Sequence, residues 1–103
     1  MEPALLTLTT PREMGLSLAR RLRELRLLKI WTRETLAARA GVSAASLKRF
    51  ETQGKASLDL VLRVAHALGR LNDFAEILQL PPAAGIAELE RRAAKPLPKR
   101  GRV

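Results

Sequence analysis

The stretch from Thr32 to Gly54, TRETLAARAGVSAASLKRFETQG, constrains this chain more than any other, because its signals specify two short helices meeting at a tight corner. Thr32 can accept the free backbone N–H groups of a first helical turn, and Glu34 sits at the positive end of that helix's dipole. Leu36, Ala37 and Ala40 recur at helical spacing on one face. Gly41 then supplies a left-handed stop at little steric cost, Val42 plugs the corner, and Ser43 caps the second helix. In that helix Leu47, Phe50 and Glu51 share one face by three- and four-residue spacing, while Ala44, Ala45, Lys48 and Arg49 are expected on the opposite face. The first face should pack; the second should look outward with small and cationic side chains.

The flanks add further helices. Thr10-Pro11-Arg12-Glu13 has the pattern of a capping box with proline at the first helical position, so a long helix should begin near Pro11. Met14, Leu18, Leu22 and Leu25 form its expected buried stripe, with Trp31 closing the exit turn. Before it, Leu6-Thr7-Leu8-Thr9 alternates like a short strand, which needs a partner strand or stays loose. After the corner, the Gly54-Lys55-Ala56 loop precedes a helix capped by Ser57 and running through Leu58, Val61, Leu62, Ala65 and Leu68 to Gly69. Asn72 or Asp73 is expected to cap another helix carrying Phe74, Ile77 and Leu78, ended by Pro81-Pro82. A short helix of alternating charge over Ile86 to Ala94 then leads into the basic tail KPLPKRGRV, whose composition favours solvation. The chain thus divides into an arm (1–10), a helical domain (11–80), and a short helix with a basic tail (81–103).

Charge narrows the class of partner. Lys and Arg total 19 against 10 for Asp and Glu, a formal net charge of +9, and the sequence pI is near 11.5. Such a balance attracts a polyanion and hastens encounter with it. Arg20, Arg21, Arg23, Arg26 and Lys29 crowd the first long helix, Arg33, Arg39, Lys48, Arg49 and Lys55 surround the corner, and Lys95, Lys99, Arg100 and Arg102 end the chain. The 103 residues, 47% hydrophobic, suit one small domain with short flanks. Cysteine is absent, which excludes disulfides, thiolate catalysis and cysteine-based metal sites. No apolar run approaches the roughly 18 to 20 residues needed to span a bilayer, and the N-terminus lacks a basic region followed by a long apolar stretch. A cytoplasmic protein with no membrane partner is the expectation.

From Leu18 to Gly69, LARRLRELRLLKIWTRETLAARAGVSAASLKRFETQGKASLDLVLRVAHALG resembles the lambda-repressor-like, Cro and XRE class of helix-turn-helix domains. The order of signals carries the likeness: RELR, WTRETLA, AGVS, a Glu before a Gly, then SL and ALG. The resemblance implies an all-α, compact bundle of four or five helices with flexible termini, binding palindromic double-stranded DNA as a dimer. Two residues depart from the pattern. Ile30 stands where such domains commonly have a glycine ending the first helix, and Arg33 where they commonly have a glutamine reaching a DNA phosphate.

Carried over position by position, the resemblance assigns Ser43, Ala44, Ala45 and Arg49 to base edges and Thr32, Arg33, Ser46, Lys48 and Lys55 to phosphates. Arg49 is the natural reader of guanine, since its fork can meet O6 and N7 together. Ala44 and Ala45 offer only apolar contact, for instance to a thymine methyl. Arg26 and Glu51 match two positions that form an internal ion pair in related domains. In some helix-turn-helix proteins a basic arm follows phosphates or enters a minor groove, a role open to Lys99, Arg100 and Arg102.

Two function classes compete with a plain repressor. For an enzyme, the only histidine is His66, with no Ser-Asp or Glu constellation near it in the pattern, no glycine-rich phosphate loop and no metal-ligand spacing. Neither catalysis nor a cofactor is expected. A chain of this layout is also similar to the DNA-binding antitoxin half of HipA-type kinase operons, which implies a kinase toxin as a second partner. Leu27, Leu28, the Leu71–Leu80 stretch and the tail are the surfaces such a partner would meet.

Overall fold

The computed structural model describes residues 9–95 and 97–101. The strand expected at Leu6 to Thr9 falls, except for Thr9, outside them, as does Arg102 of the tail. Five α-helices follow one another: α1 Pro11–Leu28, α2 Arg33–Ala40, α3 Ala44–Gln53, α4 Leu58–Ala67 and α5 Ile86–Ala94, with a single 3-10 turn, Leu71–Phe74, between the last two. No strand occurs among the described residues.

Each helix start has a local chemical cause. Thr10 Oγ1 accepts from the Glu13 N–H at 3.1 Å while the Thr10 N–H donates to Glu13 Oε1 at 3.0 Å, so the reciprocal box forms with Pro11 at the first position. The Oγ atoms of Thr32, Ser43 and Ser57 each accept from the N–H three residues on, at 3.1 Å in all three helices. Gly41 ends α2 in the left-handed region (φ 71°), and the Val42 N–H reaches back to the Ala37 carbonyl at 3.0 Å. The equivalent stop after α1 is Ile30, at φ 58° with its side chain 91% exposed. A β-branched residue therefore occupies the conformation a glycine would take for less.

The core gathers where α1 lies against α3 and where α2 lies against α3 and α4. Leu36, Leu47 and Val64 are its largest wholly buried side chains, and Ala19, Leu22, Ala37, Ala40, Phe50, Leu60 and Leu68 complete it, with Trp31 and Val42 packed at the margin. The stripe of α1 differs from expectation at its first member: Met14 is 45% exposed, and the inward positions are Ala19, Leu22 and Arg26. Leu58 is likewise exposed, because α4 turns Leu60, Val64 and Ala65 inward.

The helix expected after Asn72 is a correction. Only one 3-10 turn forms, it begins without a side-chain cap, and Leu78 stands left-handed (φ 57°) and 99% exposed. A lone short helix is marginal without a face to bury, and here Phe74 is half-buried while Ile77 and Leu78 are exposed. The short helix expected over Ile86 to Ala94 is present as α5, with no buried residue.

Candidate nucleic-acid interface

Helix α3 divides by the helical period of about 100° per residue. Leu47, Phe50 and Glu51 are buried, and Ala44, one turn before Leu47, is half-buried against the same core. Ala44 was expected to face outward; its three- and seven-residue spacing from Leu47 and Glu51 instead draws it into the packed stripe. The outward face consists of Ala45 and Thr52, seven residues apart at its centre, with Lys48 on one side and Arg49 on the other. Lys48, Arg49 and Lys55 are exposed and make no ion pair among the described residues.

Thr52 and Gln53, which the sequence reading does not single out, are exposed at the end of α3, and the helical spacing from Ala45 and Lys48 puts Thr52 on the outward face. The Thr52 hydroxyl donates to the Lys48 carbonyl at 2.7 Å, which leaves its oxygen as an acceptor and its methyl for apolar contact. The hydroxyls at the helix starts are partly committed. Ser43 Oγ accepts from the Ser46 N–H and donates to Ser46 Oγ at 2.8 Å, so Ser46 keeps its own proton to give outward. Thr32 Oγ1 accepts from the Thr35 N–H and donates to Thr35 Oγ1 at 3.0 Å.

Beneath the outward face, three helices are tied by one carboxylate. Arg26 of α1 donates from Nε and Nη2 to the two oxygens of Glu51 at 2.8 and 2.9 Å, and from Nη1 to the Trp31 carbonyl at 2.8 Å. The internal pair expected between Arg26 and Glu51 is thus present. A further partner joins it: Arg33, at the start of α2, donates from Nε to Glu51 Oε1 at 2.9 Å. Burial alone would push the Glu51 carboxyl up, its side chain being 1% exposed, but the bonds and charges of Arg26 and Arg33 outweigh that and hold it below the usual carboxylate range. Arg33 was assigned to a phosphate; its side chain is 30% exposed, and its two Nη groups make no hydrogen bond among the described residues. Among these residues no buried side-chain polar atom lacks a partner.

A backbone contact fixes the far end of α3. A Cβ on Gly15 would lie 2.7 Å from the Gly54 carbonyl oxygen, so α1 and the end of α3 meet backbone to backbone. Gly54 is itself left-handed at φ 69°, which turns the chain sharply and sets Lys55 beside α3. At the other end, Lys29 and Arg39 flank the Trp31 ring at 5.2 and 4.4 Å from its centre, holding two cations at the corner between α1 and α2.

The surface so built is an exposed, cationic helix face carried by a core and a three-way ion cluster. That is what a duplex groove requires of a reading helix. Among the described residues no group of three His, Asp or Glu side chains could hold a metal ion, and no helix is long and apolar enough to cross a membrane. His66 is exposed on α4. A family model described as Helix-turn-helix matches residues 22–74, just over half of the chain and the whole of the corner. No curated protein and no solved structure matches.

Proposed function

The chain belongs to the helix-turn-helix family of the XRE and lambda-repressor type and is a DNA-binding transcriptional regulator; from that premise we propose that it represses its own promoter as a dimer on a palindromic operator, with α3 lying in the major groove of each half-site. The observation that carries this reading is the outward face of α3, where Ala45 and Thr52 are flanked by cations that no carboxylate in the described residues neutralises. Arg49 reads guanine, and Ala45 meets a thymine methyl. Ser43 and Ala44 line the entrance of the same helix, with Ala44 limited by its partial burial.

Thr32, Arg33, Ser46, Lys48 and Lys55 hold the phosphates that set register. Arg33 serves both sides, with Nε on Glu51 and its Nη edge free for a phosphate. Specificity from base contacts is modest, about 1–3 kcal/mol for one good bidentate pair. Pairing of two half-sites and the shape of the operator supply the remainder. Footprinting on the chain's own upstream DNA tests the reading. Protection of two half-sites about one helical turn apart supports it, and protection independent of sequence removes it.

A second role, restraint of a HipA-type kinase toxin, is favoured by the exposed side chains of Leu27, Leu71, Leu78 and Leu80. Apolar groups in such number suit a protein partner better than a duplex. Co-purification with a kinase encoded beside this chain, lost on Leu78→Asp, supports that role; no kinase in the purified complex removes it.

A further inference from the structure

Among the described residues two apolar surfaces have no partner, and they match. The first is a groove of about 520 Å³ between α1, α4 and the 3-10 turn, lined by Leu25, Leu28, Val61, Phe74 and Ile77 among others. It lies apart from the outward face of α3, none of whose residues lines it. The second is the stripe Ile86, Leu89 and Ala93 on α5, one face of a helix by its three- and four-residue spacing. Ile86 and Leu89 are 73% and 57% exposed, and no residue of α5 lines the groove.

Charge fits as well as shape. The stripe has Glu90 on one flank and Arg92 on the other, while the groove carries Arg21 and Glu24 on its α1 wall and Arg70 and Asp73 on the opposite wall. With Glu90 turned to the α1 wall, an inserted helix sets that carboxylate against the Arg21 guanidinium. Arg21, Glu24 and Glu90 make no ion pair among the described residues, so their charges are available to this contact, whereas Arg70 pairs with Asp73 and Arg92 with Glu88.

We propose that α5 of one copy of the chain seats its Ile86–Leu89–Ala93 stripe in the α1–α4 groove of a second copy, and that this reciprocal exchange is the dimer interface. A second copy is the occupant because α5 is folded onto its own linker. Arg92 donates to the Pro81 carbonyl at 2.7 Å and Glu88 accepts from the Ala84 N–H at 2.7 Å, which braces α5 against the segment before it, and none of its residues lines the groove of the same chain. Pro81-Pro82 stiffens that connection. Two exchanged helices bury two grooves at once, and the outward faces of both α3 helices remain uncovered. The inference deepens the proposed function, resting on its dimer by naming the surface that makes it.

The test is sedimentation equilibrium of the full chain without DNA across a wide dilution series. Wild type is compared with Leu89→Asp on the stripe, Leu28→Asp on the groove, and an equal mixture of these two variants. Both residues are exposed, so the fold is retained, which far-ultraviolet circular dichroism checks; Ile86→Asp must behave as Leu89→Asp does. Wild type is expected to dimerise, and each variant to associate about 100-fold or more weakly, since a carboxylate would be buried without a partner. The mixture is expected to recover association, because a heterodimer keeps one intact helix in one intact groove. A wild type that stays monomeric, a variant that dimerises like wild type, or a mixture that fails to recover would each overturn the proposal, the last pointing to α5 pairing with α5 or to closure within one chain. Gel shifts with the wild type are read separately, so loss of DNA binding would count against the regulator reading without touching this result.

Discussion

Replacing Arg26 by alanine is expected to cost about 3 kcal/mol of stability, the lower end of the effect seen when a buried ion pair loses one member, since Arg33 still holds the carboxylate. The magnitude follows from what is left behind. Glu51 has a side chain 1% exposed and loses two charge-assisted bonds, the Trp31 carbonyl loses its donor, and only the single Arg33 bond at 2.9 Å remains on the carboxylate. Arg33→Ala should cost far less, about 1 kcal/mol, because Arg26 would still hold both Glu51 oxygens. For a domain of this size the first change corresponds to a fall in Tm of more than about 10 °C and the second to a few degrees. Chemical denaturation of both variants beside wild type measures the difference. The acid limb gives an independent reading. Glu51 is held below the usual carboxylate range, so it contributes stability that is present above that range and lost as pH falls through the lower folded value. In Arg26→Ala this loss on acidification should shrink. Equal costs for the two arginines, or a cost under about 1 kcal/mol for Arg26→Ala, would refute the view that Arg26 is the principal clamp.

Further changes test the frame around the site. Ile30→Gly should stabilise the protein by about 1 kcal/mol, the relief of a left-handed β-branched residue less the added freedom of the unfolded chain, and a fall in Tm would contradict it. Gly15→Ala should destabilise by about 1–3 kcal/mol, although alanine normally favours a helix interior, because its Cβ meets the Gly54 carbonyl oxygen at 2.7 Å; any gain in stability would show that the contact is slack. Lys55→Ala should weaken binding to all duplexes alike and reduce the salt slope by about one counterion, as measured by anisotropy titrations at several salt concentrations. An unchanged slope would remove Lys55 from the phosphates.

What could be read in the sequence was local chemistry. The caps at Thr10, Thr32, Ser43 and Ser57 and the stop at Gly41 depend on side chains within three or four residues, so their pattern was sufficient. The packed face of α3 was legible for the same reason, except at Ala44, whose small side chain fits either face and which core packing claimed. Met14 stands exposed because the row of α1 turned to the core runs through Gly15, Ala19, Leu22 and Arg26 at three- and four-residue spacing, one position round the helix from it. The stretch after Asn72 has helical residues but too little surface to bury them against, and tertiary packing decides short helices. Arg33 looked like a free cation; only the fold brings it to a carboxylate 18 residues away. The outward position of Thr52 follows from its seven-residue spacing from Ala45 alone.

The most direct measurement is the ratio of affinities for the best duplex selected from a random library and for a scrambled duplex, compared between wild type and Arg49→Ala at one salt concentration. Wild type should prefer the selected duplex strongly, and Arg49→Ala should lose about 1–3 kcal/mol on it while changing little on the scrambled one. Equal losses on both duplexes would show that Arg49 serves only as a charge, and the claim that the outward face of α3 reads bases would fall.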